Sequence, residues 1–361
     1  MINNNREVTL NGKIDFVKLY NKIGVLKKIN TPTRSRSRSR ARPANDTTEV
    51  KKALDDRKLL KGALRALMSL RNITFDYRVN EGTLLPGYTQ DVFLFGLDRD
   101  FSNPSLGFVF GSQDANIRHR IAQNNYFATS TFLTRPFAQD KTSTFNYTAL
   151  VEPFTDFRLS VSGRKSHSQN YQEIFRKDDT SDAFISVNPN RSGSYGISYF
   201  MLATAFTSDD GNNESPLFTN FEEFRSTIKS RLDGINENGT YDINSQEITI
   251  PAFLAAYAGK SPDEIKPTAF PKFPIPNWTL NYRGLTKVEA LSEIFSTINV
   301  NHGYSSRFDV SNYANSLLYT QDLTLDNSIS NGALASEFND AGTLVPVYIA
   351  QQAVLSERFS P

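Results

Sequence analysis

From Thr297 to Val310 apolar and polar positions alternate with a period of two. Ile298, Val300, His302, Tyr304, Ser306, Phe308 and Val310 share one side of an extended ribbon, and Thr297, Asn299, Asn301, Gly303, Ser305, Arg307 and Asp309 share the other. One side is mostly apolar and aromatic; the other is wholly polar. Trp278, Leu280 and Tyr282 alternate in the same way with Asn277, Thr279, Asn281 and Arg283, so the spacing predicts two strands of one kind. Between them, Thr286 stands three residues before Glu289, a capping-box spacing. Leu285, Val288, Leu291, Ile294 and Phe295 then form a helical stripe.

The alternation recurs along the chain. Val8, Leu10, Gly12, Ile14 and Phe16 predict a first strand, and Ile73, Phe75, Tyr77 and Val79, set against Asn72, Thr74, Asp76 and Arg78, predict a second. Phe145, Tyr147, Ala149 and Val151 make one arm of a hairpin and Phe157, Leu159, Val161 and Gly163 the other, with Glu152 and Pro153 starting the connection. A strand is expected over 193–205, with Tyr195, Ile197, Tyr199, Met201 and Ala203 on one face, and a weaker one from Val347 to Phe359. Helical periodicity appears at 49–68, where Leu54, Leu60, Leu64 and Leu67 sit among lysines and arginines. It appears again in Phe221, Phe224, Ile228 and Leu232, opened by Thr219 and Glu222 and ended by Gly234. Pro251 at a first helical position and Gly259 beyond the end bracket a short helix over 252–258. Gly82 and the Pro86-Gly87 pair begin a long irregular region reaching about Asp140, which reads as an insertion. Pro267, Pro271, Pro274 and Pro276 hold another stretch extended, so it must line or cross something.

A strand of about ten residues with one apolar and one polar face is what the wall of an outer-membrane barrel requires. The same alternation also builds a soluble β-sandwich, and periodicity does not separate the two. Composition leans to β: 27 Phe and 15 Tyr against three Met in 361 residues, with a hydrophobic share of 39%. No run approaches the roughly 18 apolar residues of a membrane helix.

Charge is nearly balanced, at 40 basic against 38 acidic residues, so nothing global points to nucleic acid. Arginine at 34, 36, 38, 40 and 42 with serine between reads as a self-repelling, disordered linker over 31–48, because no aromatic stacking platform accompanies it. The chain has no cysteine, which excludes a disulfide framework and thiolate chemistry. His119, His167 and His302 stand apart, without metal-ligand spacing. Asp209, Asp210, Asn212, Asn213 and Glu214 around Gly211 lack the EF-hand spacing and read as an exposed turn. No nucleophile elbow, phosphate loop or catalytic triad is visible, so no enzyme, cofactor or metal site is expected. Met1 to Arg6 lacks a secretory leader, and an outer-membrane protein with this start is expected to be a piece of a longer precursor.

Several stretches together resemble the SprA/Sov family, the outer-membrane translocon of the type IX secretion system of Bacteroidota. They are Val8 to Phe16 with Lys18 to Lys22, Met68 to Ile73, Gly82 to Tyr88, Phe108 to Asp114, Ile250 to Tyr257, Pro276 to Leu285, Asn301 to Ser306 and Ser356 to Pro361. The Arg/Ser tract and the loop from Asp209 to Glu247 carry little of the match. The resemblance implies a mainly β chain: a fragment of a very large antiparallel transmembrane β-barrel with short helices and long luminal or loop insertions. Its first strand and basic segment would occupy 1–30, the linker 31–48, the amphipathic helix 49–68 and the barrel wall 69–361. It implies passage of folded cargo proteins, including gliding adhesins, to the cell surface, with a partner outer-membrane barrel and a periplasmic plug as partners and membrane lipid around the wall. On that reading Ile73, Phe75, Tyr77, Trp278, Leu280, Tyr282, Val300, Tyr304 and Phe308 face lipid. Asn72, Thr74, Asp76, Asn281, Arg283, Asn299, Asn301 and Arg307 face the lumen. Another outer-membrane receptor barrel and a soluble surface-binding β-sandwich are the alternatives.

Overall fold

The computed structural model describes residues 1–24, 26–27, 68–114, 116–210, 214–235, 240–315 and 348–360, with strand backbone also at 336–338 and 344–346. The Arg/Ser tract, all but the last residue of the basic helix expected at 49–68, and Asn238-Gly239, a pair that signals a tight turn, lie outside these. The described protein is mainly β, with a large antiparallel sheet. In chain order the strands are β1 (Ile2–Asp15), β2 (Leu70–Leu85), β3 (Phe137–Val151), β4 (Phe157–Lys177), β5 (Phe184–Ser198), β6 (Asn277–Tyr282), β7 (Val300–Asn315), β8 (Ser336–Phe338), β9 (Leu344–Pro346), β10 (Tyr348–Ile349) and β11 (Gln352–Ser360). All but β8 and β9, which pair with each other, belong to one nine-stranded sheet.

That sheet is an up-and-down meander in the order β1-β2-β3-β4-β5-β7-β10. Its strands are long: β1 has 14 residues, β2 16 and β4 21, against five or six on average. The predicted hairpin is present, turning between β3 and β4 with Asp156 at φ 67°, a left-handed conformation that aspartate tolerates. Asn188 (φ 52°) and Asn312 (φ 49°) sit at the register shifts of the β4–β5 and β5–β7 pairings. Each inserts one extra residue, which bends the strand and increases its twist.

One strand position is filled by two separate pieces of chain. β5 pairs with residues 165–177 of β4 and β6 with residues 157–162. On their other side β5 pairs with residues 307–314 of β7, apart from the bulge, and β6 with residues 300–304. The chain therefore leaves the sheet after Ser198 and re-enters in the same line and direction at Asn277. The break would orphan backbone donors on both neighbours, and side chains take them up. Ser198 Oγ accepts from Arg164 N at 2.9 Å, and Asn277 Oδ1 accepts from Ser306 N at 2.9 Å. Ile275 N donates to Ser198 O and Tyr199 N to Ser306 O, both at 3.0 Å. The strand expected over 193–205 thus ends at Ser198: Tyr199 and Met201 stay buried in the inserted module, whereas Ala203 is exposed.

Helices decorate the frame. α1 (Phe16–Tyr20) follows β1; α2 (Leu106–Val109) and α3 (Ile117–Gln123) lie in the β2–β3 connection; α4 (Pro216–Ile235) and α5 (Gln246–Ala258) lie in the insertion. α5 is the middle layer of that insertion. Ile250, Leu254 and Ala258, one turn apart, pack on Tyr195, Ile197, Phe308 and Val310 of the sheet, while Ile248 and Ala252 pack on Ile228 and Leu232 of α4. A helix covered on both sides is apolar all round. This explains a boundary that the sequence misplaces: α5 begins at Gln246, so Pro251 lies inside it and removes the hydrogen bond to the Glu247 carbonyl. Burial on two sides holds the helix together. Gly259, at φ 62°, is the expected left-handed cap. α4 likewise starts earlier than Thr219, at Pro216.

The helix expected at 285–295 is instead a 3-10 turn, Gly284–Lys287, followed by a single turn, α6 (Glu289–Ser292). Thr286 Oγ1 bonds Ile298, donating to its carbonyl at 3.2 Å and accepting from its N–H at 3.1 Å. Val288, Ile294 and Phe295 are exposed. The stripe finds no surface to bury on, and so short a helix depends on packing.

The β2–β3 connection is irregular, as expected, yet closely anchored. α3 drives Arg118 into the sheet, where it pairs with Glu173 of β4, both side chains fully buried. The guanidinium lies 5.2 Å from the centre of the Phe137 ring and 5.8 Å from those of Tyr171 and Phe175. Tyr171 Oη donates to Glu173 Oε2 at 2.9 Å. Further along, buried Asp98 accepts from Ser102 N at 2.8 Å, Ser102 Oγ at 3.0 Å and Asn103 Nδ2 at 3.1 Å. Burial pushes the Asp98 carboxyl up, but these donors more than offset it and hold the group below its ordinary value.

Arg118→Ala strands a buried carboxylate and is expected to cost about 3–5 kcal/mol, whereas Arg118→Met with Glu173→Leu stays near wild type; thermal melting of the two variants checks this. A depressed Asp98 adds stability that is present above its unfolded value near pH ~4 and is lost as pH falls through the folded value. Hydrogen-exchange protection over 96–104 should fall on acidification toward pH ~3. In Asp98→Asn that acid dependence disappears.

Candidate functional site

Residues directly opposed in an antiparallel pair point to the same side of the sheet, so the register assigns faces. Ile14, Ile73, Ala149, Val161, Trp278, Tyr304 and Phe359 form one continuous row across every strand position. All of them are apolar or aromatic. The next row, on the opposite face, is Asp15, Asn72, Leu150, Ser160, Thr279, Gly303 and Ser360, polar but for Leu150. Further rows keep the rule, with Gly12, Phe75, Tyr147 and Gly163 on the apolar side and Lys13, Thr74, Thr148 and Ser162 behind them.

Gly12 and Gly163 have a specific task. A Cβ on Gly12 would sit 2.2 Å from the Phe75 ring, and one on Gly163 2.4 Å from the Tyr147 ring. The aromatic rings occupy the space over their cross-strand glycines and fill the apolar surface there.

Much of this surface is uncovered. Val8 is 49% exposed, Leu10 58%, Ile14 48% and Tyr77 41%. Two belts of charge bound the open part. At one end Glu81 holds Arg6 and, at 3.1 Å, Lys141. At the other, Glu152 holds Arg71 and Arg158, each at 3.2 Å, and Asp156 holds Lys287. Along β2 the belts stand at Arg71 and Glu81, a run of roughly 34 Å of strand, or about 24 Å in projection at a 45° tilt.

The remainder of the apolar face is covered, by two different devices. The β2–β3 connection packs Tyr88, Phe108, Ile117, Ile121 and Phe127 onto Leu85, Phe137, Tyr171 and Phe175. The 199–276 insertion covers β5 and β7. Its Pro-rich limb runs across the face and is tied down through its carbonyls: Tyr147 Oη donates to Pro274 O at 3.1 Å, Tyr195 Oη to Pro271 O, and Lys165 Nζ to Lys272 O at 3.4 Å.

Of the expected lipid-facing set, Ile73, Phe75, Tyr77, Trp278, Leu280, Tyr282 and Val300 lie on the apolar face and are open or half-open to solvent. Tyr304 and Phe308 are not. They lie on the same face but are 2% and 0% exposed, because the insertion covers them: Met201 N donates to Tyr304 Oη at 2.9 Å, and Phe308 sits in the core with Tyr199 and Leu254. The 199–276 insertion, for which luminal or loop positions are expected, packs on the apolar face, opposite the polar one, because that is where Ile250, Leu254 and Phe270 find apolar partners.

Of the expected lumen-facing set, Asn72, Thr74, Asp76, Asn281, Asn301 and Arg307 lie on the polar face. Asn146 Nδ2 donates to Asp76 Oδ1 at 3.2 Å, and Asn281 Nδ2 to Asn301 Oδ1 at 2.6 Å. Arg307 Nε reaches both Asp309 oxygens, at 2.6 and 2.8 Å. Arg283 is exposed just beyond β6, near Arg71, Asp156 and Arg158, and Asn299 immediately precedes β7. Sequence reasoning missed the charge belts and the Ser198 and Asn277 stitches, since both depend on cross-strand register.

The histidines stay apart. His119 packs edge-on against Phe175, His167 Nε2 is 2.8 Å from Tyr313 Oη, and His302 pairs with Leu280 beside Trp278. Among the described residues no group of three or more His, Cys, Asp or Glu is placed to hold a metal. No described helix is long and apolar enough to cross a membrane.

Leu254→Ala opens a void between α5 and the sheet and is expected to cost about 2–5 kcal/mol. Limited proteolysis should then cut faster within 199–276 while β1–β4 stays protected. No family model matches the chain, and no curated protein matches it.

Proposed function

We propose that this chain is a segment of the wall of a large outer-membrane β-barrel and that, as its resemblance to the SprA/Sov family implies, the barrel is a protein-conducting translocon. One observation carries the membrane reading. A continuous apolar row, backed by a polar one, crosses every position of an up-and-down sheet, and the open part of its apolar face is bounded by charge about one bilayer core apart. A closed sheet of this kind satisfies its backbone in lipid, and the polar face offers a hydrated surface to passing cargo. The family supplies the remaining roles: folded, secreted cargo, a partner barrel, a periplasmic plug and use in gliding. On this reading the insertion and the β2–β3 connection sit at the rim, on the outer side of the wall.

A soluble β domain is favoured by one observation, the burial of Phe308 beneath α5 and of Tyr304 against Phe200 and Met201 of the insertion. It leaves Val8, Leu10, Ile14 and Tyr77 without cover.

Fractionation of native cells separates the two. Recovery in the outer membrane is expected, with protease added to intact cells cutting only in connections such as 206–214; recovery as a freely soluble protein overturns the proposal. Leu10→Arg, in the open band, is expected to cost up to about 2–4 kcal/mol and reduce membrane assembly, whereas Thr74→Arg on the polar face is tolerated. Equal tolerance of both at the membrane would also count against a lipid-facing band.

A further inference from the structure

The insertion encloses a cleft that its packing leaves empty. It lies between α5, the Pro-rich limb and the end of β5, with a volume of about 630 Å³, within the 300–1,000 Å³ usual for small-molecule sites. Tyr199, Leu254 and Ile265 form apolar walls, and Phe273 and Ile235, 80% and 63% exposed, stand as apolar lips.

Its charge is one-sided. Lys260, Lys266 and Lys272 line it against a single acid, Glu264. Lys260 Nζ lies 5.6 Å from the centre of the Tyr199 ring, which places its ammonium over an apolar wall. Elsewhere among the described residues, lysines do pair with carboxylates, as Lys18, Lys141, Lys177, Lys229 and Lys287 show; none of the three cleft lysines has such a partner. Lys165 adds a further ammonium behind the limb, through its bond to the Lys272 carbonyl.

An apolar cleft ringed by unmatched ammonium groups is complementary to an amphiphile with an anionic head. We infer that the cleft binds one fatty-acyl chain, with its carboxylate or phosphate held by Lys260, Lys266 and Lys272. A small polar anion would leave the walls unfilled, and a neutral hydrocarbon would leave the lysines unmatched. Either a free fatty acid or an acidic membrane phospholipid has the required chemistry. The inference does not depend on the translocon reading.

The test uses the full chain held in amphipol, so that no detergent competes, titrated with the fluorescent fatty acid cis-parinaric acid and with its uncharged methyl ester. Saturable one-site binding of the acid, and weaker binding of the ester, is the expected result. Lys266→Ala with Lys272→Ala alters two exposed side chains and should weaken the acid on the order of tenfold or more. Ile265→Trp fills the cleft and should abolish binding, with melting temperature recorded for both variants. Displacement by phosphatidylglycerol vesicles but not by phosphatidylcholine vesicles identifies a bilayer lipid as the source; displacement by neither identifies a free fatty acid. Equal binding of acid and ester, or acid binding unchanged in either variant while its fold is intact, overturns the inference. So does an absence of saturable binding.

Discussion

Backbone hydrogen bonding is the constraint from which the rest of this structure follows. A sheet with a strand position left half-filled would orphan donors on both neighbours, at several kcal/mol for groups buried away from water. Here β5 fills the lower part of one position and β6 the upper part, with the insertion looping out between them. Ser198 and Asn277 stand at the two lips of the break, and their side chains accept the N–H groups of Arg164 and Ser306. With the ladder closed in this way, the sheet carries a large module without losing its continuity.

The second constraint is two-sidedness. The polar face runs from Asp15 to Ser360 and needs no cover. The apolar face needs either protein or hydrocarbon against it, and it has protein over part of its area only. Where α5 and the Pro-rich limb lie, Phe308 and Val310 are fully buried, each worth about 1.5–3 kcal/mol of transfer free energy. Where they do not lie, Leu10 and Ile14 stand open between belts of paired charge. Cover that stops short of a charge-bounded band agrees with a surface completed by something outside the chain.

The two covers are fastened differently. The β2–β3 connection relies on a buried ion pair, Arg118 with Glu173, whose desolvation is offset by aromatic faces and a tyrosine hydroxyl. The insertion relies on apolar packing and on tyrosine and lysine donors that grip proline-limb carbonyls. That limb has few N–H groups of its own to offer, so its carbonyls are the natural handles. The grip leaves a lysine-ringed cleft between limb and helix.

Alternation alone determined the strands: the faces of β2, β3, β4, β6 and β7 read correctly from Ile73, Phe145, Leu159, Trp278 and Val300, because period two is a local property of extended chain. The Gly259 cap was equally local. Four features were not. Pro251 inside α5 and the collapse of the 285–295 helix were decided by whether a partner surface existed, which local propensity cannot report. The burial of Tyr304 and Phe308 was decided by where a 78-residue excursion returned, since their pattern is the same as that of Trp278 and Leu280. The charge belts became visible only when register set Arg6 and Lys141 beside Glu81. Sequence determined which face of each strand is apolar; tertiary structure decided what covers it, because cover depends on contacts between residues far apart in the chain.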